Sequence, residues 1–270
     1  MNVPNKTIVI ADSCSGGIGV MKYINTWAGD YRVEYLADYE KNPLGLKDSN
    51  EIESIVKSWF KCLVNKDNTC LVVIACNTAS IASMRIKQRL ADASGVPIIN
   101  MVDGLKECIK RNKSQIVGRN VAVMATKYTI ESGVYQGIIS KYQPNKIIGI
   151  IATNCEQEVA MGRFETAEGG VIIKNELEKY SNQNIDTVIL ACTCFKAIEN
   201  QIIGSLGASV KCMDPAENVS DLAMQELGVV INKKNPKIKL WNTAQSEDTN
   251  ESIGNMCKSN IKINYLKLSR

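Results

Sequence analysis

Two segments of this chain share a pattern that few folds accommodate. Leu71–Ser80 reads L-V-V-I-A-C-N-T-A-S, and Thr187–Phe195 reads T-V-I-L-A-C-T-C-F. Each opens as an unbroken apolar run, rich in Val and Ile or Leu, and then switches at Ala-Cys to small and polar residues. Such a run predicts a strand covered on both faces, as in a parallel sheet. In open α/β sheets ligands bind beyond the carboxyl ends of the strands. That places Cys76, Asn77 and Thr78, and again Cys192 and Thr193, where chemistry is done. The two cysteines stand about one small domain apart in the chain, so two similar halves are expected, each offering one thiol.

The rest of the chain repeats the alternation. Thr7–Ala11 reads as a buried strand that breaks into Asp12-Ser13-Cys14-Ser15-Gly16-Gly17, where glycine permits a tight turn and a close backbone approach to a ligand. Tyr31–Leu36, Val96–Met101, Asn120–Ala125, Lys146–Ile151, Val210–Met213, Lys237–Trp241 and Ile261–Leu268 read as further strands. Helices are expected from a Ser49 cap to Leu63, over Ala79–Leu90, from Thr129, within Glu165–Tyr180, over Lys196–Leu206 and from Asp214 to Leu227. Repeated strand–helix alternation implies parallel sheets flanked by helices, an α/β fold.

Composition narrows the chemistry. The chain has ten cysteines and no histidine. Its start runs straight into a strand with no leader pattern, and no apolar run approaches the roughly 20 residues needed to span a bilayer. Reduced thiols and a cytoplasmic protein are therefore expected, with Cys62, Cys70, Cys108, Cys212 and Cys257 as inert small residues. The net charge is only +4, and Lys233-Lys234, Lys237 and Lys239 read as a solvated surface. With no basic stripe interleaved with aromatics, neither nucleic acid nor membrane is expected as a partner. The pattern G-x-G-x-x-G is not met after the first strand, which argues against a dinucleotide site. Without His, acid–base work falls to Cys, Asp, Glu, Lys or Tyr.

One cysteine ending a buried strand is no more than a small apolar residue. Two equivalent Ala-Cys strand ends, joined by Asp-Ser-x-x-Gly-Gly, point to chemistry. A pair of thiols across a cleft suits one reaction well. One thiolate takes a proton from one face of a carbon, and the other thiol returns a proton to the opposite face. That inverts a stereocentre without a cofactor. Asn77, Thr78 and Thr193, with backbone N–H groups beside them, suit a carboxylate, and Asp12 suits an ammonium group or a relay. A metal on Cys192-x-Cys194 with Cys155 is the weaker alternative, since no Cys-x-x-Cys pair and no His complete a four-ligand set. Redox pairing of Cys192 with Cys194 is another.

Asp12-Ser13 with Gly16-Gly17, Asn42-Pro43-Leu44-Gly45, Ala75–Ser80, Ala191-Cys192-Thr193 and Leu240-Trp241-Asn242-Thr243 together resemble the glutamate racemases of the aspartate/glutamate racemase superfamily. The resemblance implies two pseudosymmetric α/β domains with an amino acid, glutamate, bound between them, no cofactor, a homodimer, and a supply of D-glutamate for peptidoglycan. It places 1–100 with 210–270 in one domain and 101–209 in the other. It makes Cys76 and Cys192 the acid–base thiols, with Asp12 assisting Cys76. It makes Ser13, Asn77, Thr78, Thr126 and Thr193 the substrate-holding residues, and puts Pro43, Leu44 and Gly45 beside the substrate side chain. Three positions depart from the family pattern. Cys194 stands where the family usually has His, which removes an activator of Cys192. Leu44 stands where it usually has Tyr, which exchanges a polar tip for an apolar wall. The acidic residue expected after the strand near Ile151 has two candidates, Glu156 and Glu158, while the simplest register puts Met161 there. These departures keep open a relative with another acidic substrate, a decarboxylase using one thiol, or a glutamate-binding homologue without turnover.

Overall fold

The computed structural model describes residues 6–229, 236–258 and 261–268, and the basic pair Lys233-Lys234 lies outside them. The first sheet starts with β1 (Thr7–Asp12), followed by α1 (Ile18–Asn25), β2 (Arg32–Ala37), α2 (Ser49–Leu63), β3 (Thr69–Ile74), α3 (Asn77–Ala82), α4 (Lys87–Ser94) and β4 (Ile98–Asn100). Helix α5 (Met101–Arg111) leads into the second set: β5 (Asn120–Ala125), α6 (Lys127–Glu131), α7 (Val134–Ile139), β6 (Lys146–Ile151), α8 (Thr153–Ala160), α9 (Ala167–Leu177), β7 (Thr187–Leu190), α10 (Glu199–Leu206) and β8 (Lys211–Met213). The chain then returns through α11 (Ala216–Glu226) to β9 (Lys237–Asn242), α12 (Glu247–Cys257) and β10 (Ile263–Tyr265). Two sheets result, ordered β10-β9-β2-β1-β3-β4 and β6-β5-β7-β8, and every pairing is parallel. Among the described residues no helix is long and apolar enough to cross a membrane.

The apolar runs are buried on both faces because alternate residues of one strand enter different cores. Ile8, Ile10, Leu71 and Val73 face one core; Val9, Ala11, Val72 and Ile74 face another, closed by Ile52, Val56 and Trp59 of α2. The first of these cores continues without a break into the second sheet, through Ala122, Met124, Val188 and Leu190. One shared core thus holds the two sheets together, while the carboxyl ends of β1, β3, β5 and β7 are brought to one cleft.

The structure corrects several boundaries. The cap of α2 is Asp48, whose carboxylate accepts from the Glu51 N–H at 2.9 Å; Ser49 is the first helical residue. The helix expected over Ala79–Leu90 starts at Asn77 and breaks at a short turn over Ser83–Arg85, where the Ser83 hydroxyl bonds back to the Ala79 carbonyl at 2.6 Å. Met101 is not in a strand but opens α5, which has a reciprocal capping box between Asn100 and Asp103. Helices α8 and α12 were not anticipated. The strand near 211 was expected with the N-terminal unit. It pairs with β7, because a crossover through α10 returns the chain beside the strand it left.

Candidate active site

Asp12 is the pivot of the site. It ends β1, is 1 % exposed, and sits under the turn that follows. Burial raises its pKa to about 6, opposed by the hydrogen bond from Thr193 and by the backbone N–H groups of Ser13, Cys14 and Gly17. Its Oδ1 accepts from the Ser13 N–H at 2.6 Å and from the Ser13 hydroxyl at 3.3 Å. Ser13 Oγ in turn lies 3.5 Å from Cys76 Sγ. Its Oδ2 accepts from Thr193 Oγ1 at 3.0 Å, the residue next to Cys192. One carboxylate therefore reaches toward both thiol-bearing strand ends. The turn must be glycine at 17, where a Cβ would stand 2.6 Å from Asp12 Oδ2 and 2.7 Å from Ala75 Cβ.

Cys76 follows β3 and sits directly before α3, whose first residue is Asn77. Burial, then the Asp12 charge, hold its thiol well above the ordinary cysteine value. Asn77 is almost fully buried. Its Oδ1 accepts from the Tyr135 hydroxyl, and its Nδ2 is a buried donor with no protein partner. An unsatisfied buried amide donor carries a penalty of about 1–3 kcal/mol, which a carboxylate ligand would remove. Thr78 Oγ1 meets Thr126 Oγ1 across the cleft at 2.9 Å, and Thr126 also caps α6.

These residues line one small pocket together with Leu44, Gly45, Asn42, Cys14, Glu156 and Cys192. Leu44 is 2 % exposed and its apolar side chain lines the pocket. Pro43 borders Leu44 in the chain without lining the pocket. Of the two acidic candidates, Glu156 lies in the pocket, reached by Asn42 Nδ2 at 3.5 Å, and burial raises its pKa to about 7. Glu158 is turned away into an ion pair with Arg163 at 2.7 Å, and Met161 only ends α8. The helical geometry of α8 decided this, which no strand-register argument could do. Cys194 is fully buried with Sγ 3.4 Å from Cys14 Sγ; hydrogen bonding to Cys14 and to Cys192 holds its thiol well above the ordinary value. Cys14 and Asn42 were missed at the sequence level. The only available signal for Cys14 was its place two residues after Asp12.

The cavity itself is about 10 Å³, room for about one water. An amino acid needs several times that, so the two sets of strand ends must part to admit one. Contacts across the cleft define the closed arrangement: Asp12–Thr193, Thr78–Thr126, Asn77–Tyr135, Asn42–Glu156 and Ser49–Tyr128.

This chain is 27% identical to a glutamate racemase of Limosilactobacillus reuteri over 214 residues, covering 78% of this chain and 76% of that protein. It is 26% identical to a glutamate racemase of Clostridium botulinum over 271 residues, covering 100% and 98%. Its fold matches a glutamate racemase isoform from Bacillus anthracis with a TM-score of 0.82 at 24% identity, covering 97% of this chain and 98% of that one. A glutamate racemase from Francisella tularensis, solved with D-glutamate, gives a TM-score of 0.82 at 22% identity, covering 98% of each chain. A model described as Asp/Glu/Hydantoin racemase matches residues 37–220, the span that holds both thiols, and the protein belongs to this family of isomerases.

Proposed function

We propose that this protein is a cofactor-independent glutamate racemase in which Cys76 and Cys192 exchange the α-proton, and that it supplies D-glutamate for peptidoglycan in the cytoplasm. The observation that carries this reading is one pocket in which Cys76 and Cys192, from the ends of strands in two different sheets, both lie in the lining, with Asp12 linked toward both. The names and lengths of the relatives support the substrate. At rest the Cys76 thiol is held protonated by burial and by Asp12. An amino-acid ammonium group entering beside Asp12 brings positive charge, which lowers thiol pKa values. The α-carboxylate is assigned to Asn77 Nδ2, with Thr78, Thr126 and Thr193 beside it, and Ser13 linking Cys76 to Asp12. Leu44 and Gly45 border the side chain. Glu156, whose pKa burial raises to about 7, faces the same pocket.

The test is proton NMR in D₂O with L-glutamate and, separately, D-glutamate, with chiral analysis of the product. Loss of the α-proton with inversion from both enantiomers is the expected result. Cys76→Ala and Cys192→Ala are each expected to lose inversion by on the order of 10³-fold or more, since a positioned base contributes roughly 10²–10⁴. Exchange without inversion in the wild type would instead assign a one-thiol reaction, the reading favoured by Cys194 standing beside Cys192. Binding of glutamate with no exchange would assign a protein without turnover.

A further inference from the structure

Cys14 and Cys194 come from opposite sides of the cleft, on the turn after β1 and the turn after β7. Their sulfurs lie 3.4 Å apart. A carboxylate oxygen of Glu156 on α8 joins them, so that three donor atoms stand within 4.8 Å of one another, all on buried side chains. Neither thiol is needed for the two-base scheme, and the racemase reading assigns no role to Cys14.

We propose that Cys14, Cys194 and Glu156 form a binding site for one thiophilic divalent cation of the zinc class. Zinc takes sulfur at about 2.3 Å and carboxylate oxygen at about 2.0–2.2 Å in tetrahedral sites. Those bond lengths set a sulfur–sulfur edge of about 3.8 Å and a sulfur–oxygen edge of about 3.5 Å. The Cys14–Cys194 pair needs to open by only about 0.4 Å to meet this. Two thiolates and a carboxylate form a mixed soft and hard set that suits zinc, whereas calcium and magnesium prefer oxygen alone.

The ligands are also held in place. The Cys14 carbonyl accepts from the buried Tyr35 hydroxyl at 2.6 Å, fixing the turn. Gly16 packs so tightly on the 193–194 turn that a Cβ there would lie 2.8 Å from the Cys194 nitrogen. Asn42 reaches Glu156. Three protein ligands leave a fourth position, and because Cys14 and Glu156 line the pocket, that position opens toward it. The donor set differs from the Cys192, Cys194 and Cys155 combination weighed from the sequence. Cys155 is instead packed against Glu176, with its N–H donating to Glu176 Oε2 at 2.8 Å.

Binding does not depend on the racemase reading, and the test reads it directly. Reduced, chelator-stripped protein is titrated anaerobically with Co²⁺, then with Zn²⁺, and followed by absorption. The expected result is one equivalent of cobalt, with sulfur-to-metal charge-transfer bands and visible tetrahedral bands, displaced by zinc. Cys14→Ala, Cys14→Ser and Cys194→Ala, each checked for folding by circular dichroism, should weaken binding by about 100-fold or more, since even outer-shell partners are worth 10–100-fold. Glu156→Gln should keep the charge-transfer bands with weaker binding. Cys76→Ala, Cys192→Ala and Cys155→Ala should keep both bands and stoichiometry. No charge-transfer bands in the wild type, or bands that survive loss of Cys14 and Cys194, or bands that disappear with Cys76, Cys192 or Cys155, would overturn the site.

Discussion

Asp38 follows β2 with its side chain fully buried, and donors meet both carboxylate oxygens: Trp59 Nε1–H at 2.6 Å and Thr243 Oγ1–H at 2.8 Å. Burial raises its pKa, and these two hydrogen bonds oppose the rise. A carboxyl whose folded pKa is raised contributes stability that is fully present at low pH and lost as pH rises through the folded value. The Trp59 N–H limits that loss, because it favours the charged form. Trp59→Phe should therefore cost on the order of 2 kcal/mol more at pH 7.5 than at pH 4. The cavity left by the smaller ring adds a part that does not change with pH. Urea unfolding of both proteins at the two pH values checks this, and an equal loss at both would remove the hydrogen bond from the account. The same residue-scale logic explains why Asp12 was readable from sequence and Cys14 was not. An acid after a buried strand is already anomalous, whereas a cysteine in a turn becomes informative only when a second sulfur is found beside it.

At the scale of elements, the turn from Ser13 to Gly17 does most of the positioning. It wraps the Asp12 carboxylate in backbone N–H groups and touches the turn after β7 through Gly16, where a Cβ would stand 2.7 Å from Thr193 Oγ1. The obstruction includes backbone, so the turns rather than a side-chain tip must move. Gly16→Ala should push the two turns apart and lower turnover on the order of 100-fold, as misplacements near 1 Å do. The melting temperature should fall by several degrees, because overpacking of this kind costs about 1–3 kcal/mol, but the fold should survive, since Gly16 does not occupy a left-handed conformation. Full activity in the folded variant would show that this contact does not set the geometry. Helix α8 matters in the same way. It was not anticipated from sequence, yet its turn carries Glu156 into the pocket and Glu158 out to Arg163.

For the whole molecule, the question is how a closed cleft admits a substrate. Tyr39 ties the two sets of strands together: its hydroxyl donates to the Ala160 carbonyl at 2.8 Å and accepts from the Ser15 N–H at 3.2 Å. Tyr39→Phe leaves both groups without that partner, and a lost hydrogen bond of about 1 kcal/mol is worth roughly fivefold in an equilibrium. The closed state should weaken accordingly. Because the closed, ligand-free state must part to admit substrate, KM for glutamate should fall by up to about fivefold, with the α-proton still exchanged at near the wild-type maximal rate. An unchanged KM would mean that Tyr39 serves stability alone. The continuous core shared by the two sheets argues that opening is a small hinge or shear at the cleft rather than a separation of domains.

The apolar runs at 71–74 and 187–190 determined by themselves that both segments would be strands buried on both faces, and hence that Cys76 and Cys192 would stand at carboxyl ends in an α/β fold. That follows from local physics, because a short, β-branched apolar run that ends abruptly in polar residues fits a strand covered on both sides better than a helix. Asp12, Ser13, Asn77, Thr78, Thr126 and Thr193 were legible for the same reason, as the first polar residues after such runs. Only the tertiary structure decided which residues from different strand ends meet. It assigned β8 to the second sheet, put Glu156 rather than Glu158 at the pocket, set Cys14 against Cys194, and closed the cavity to the size of a water. Those outcomes depend on long-range pairing and helix rotation, where a shift of one residue reverses the direction of a side chain, and no local pattern carries that information.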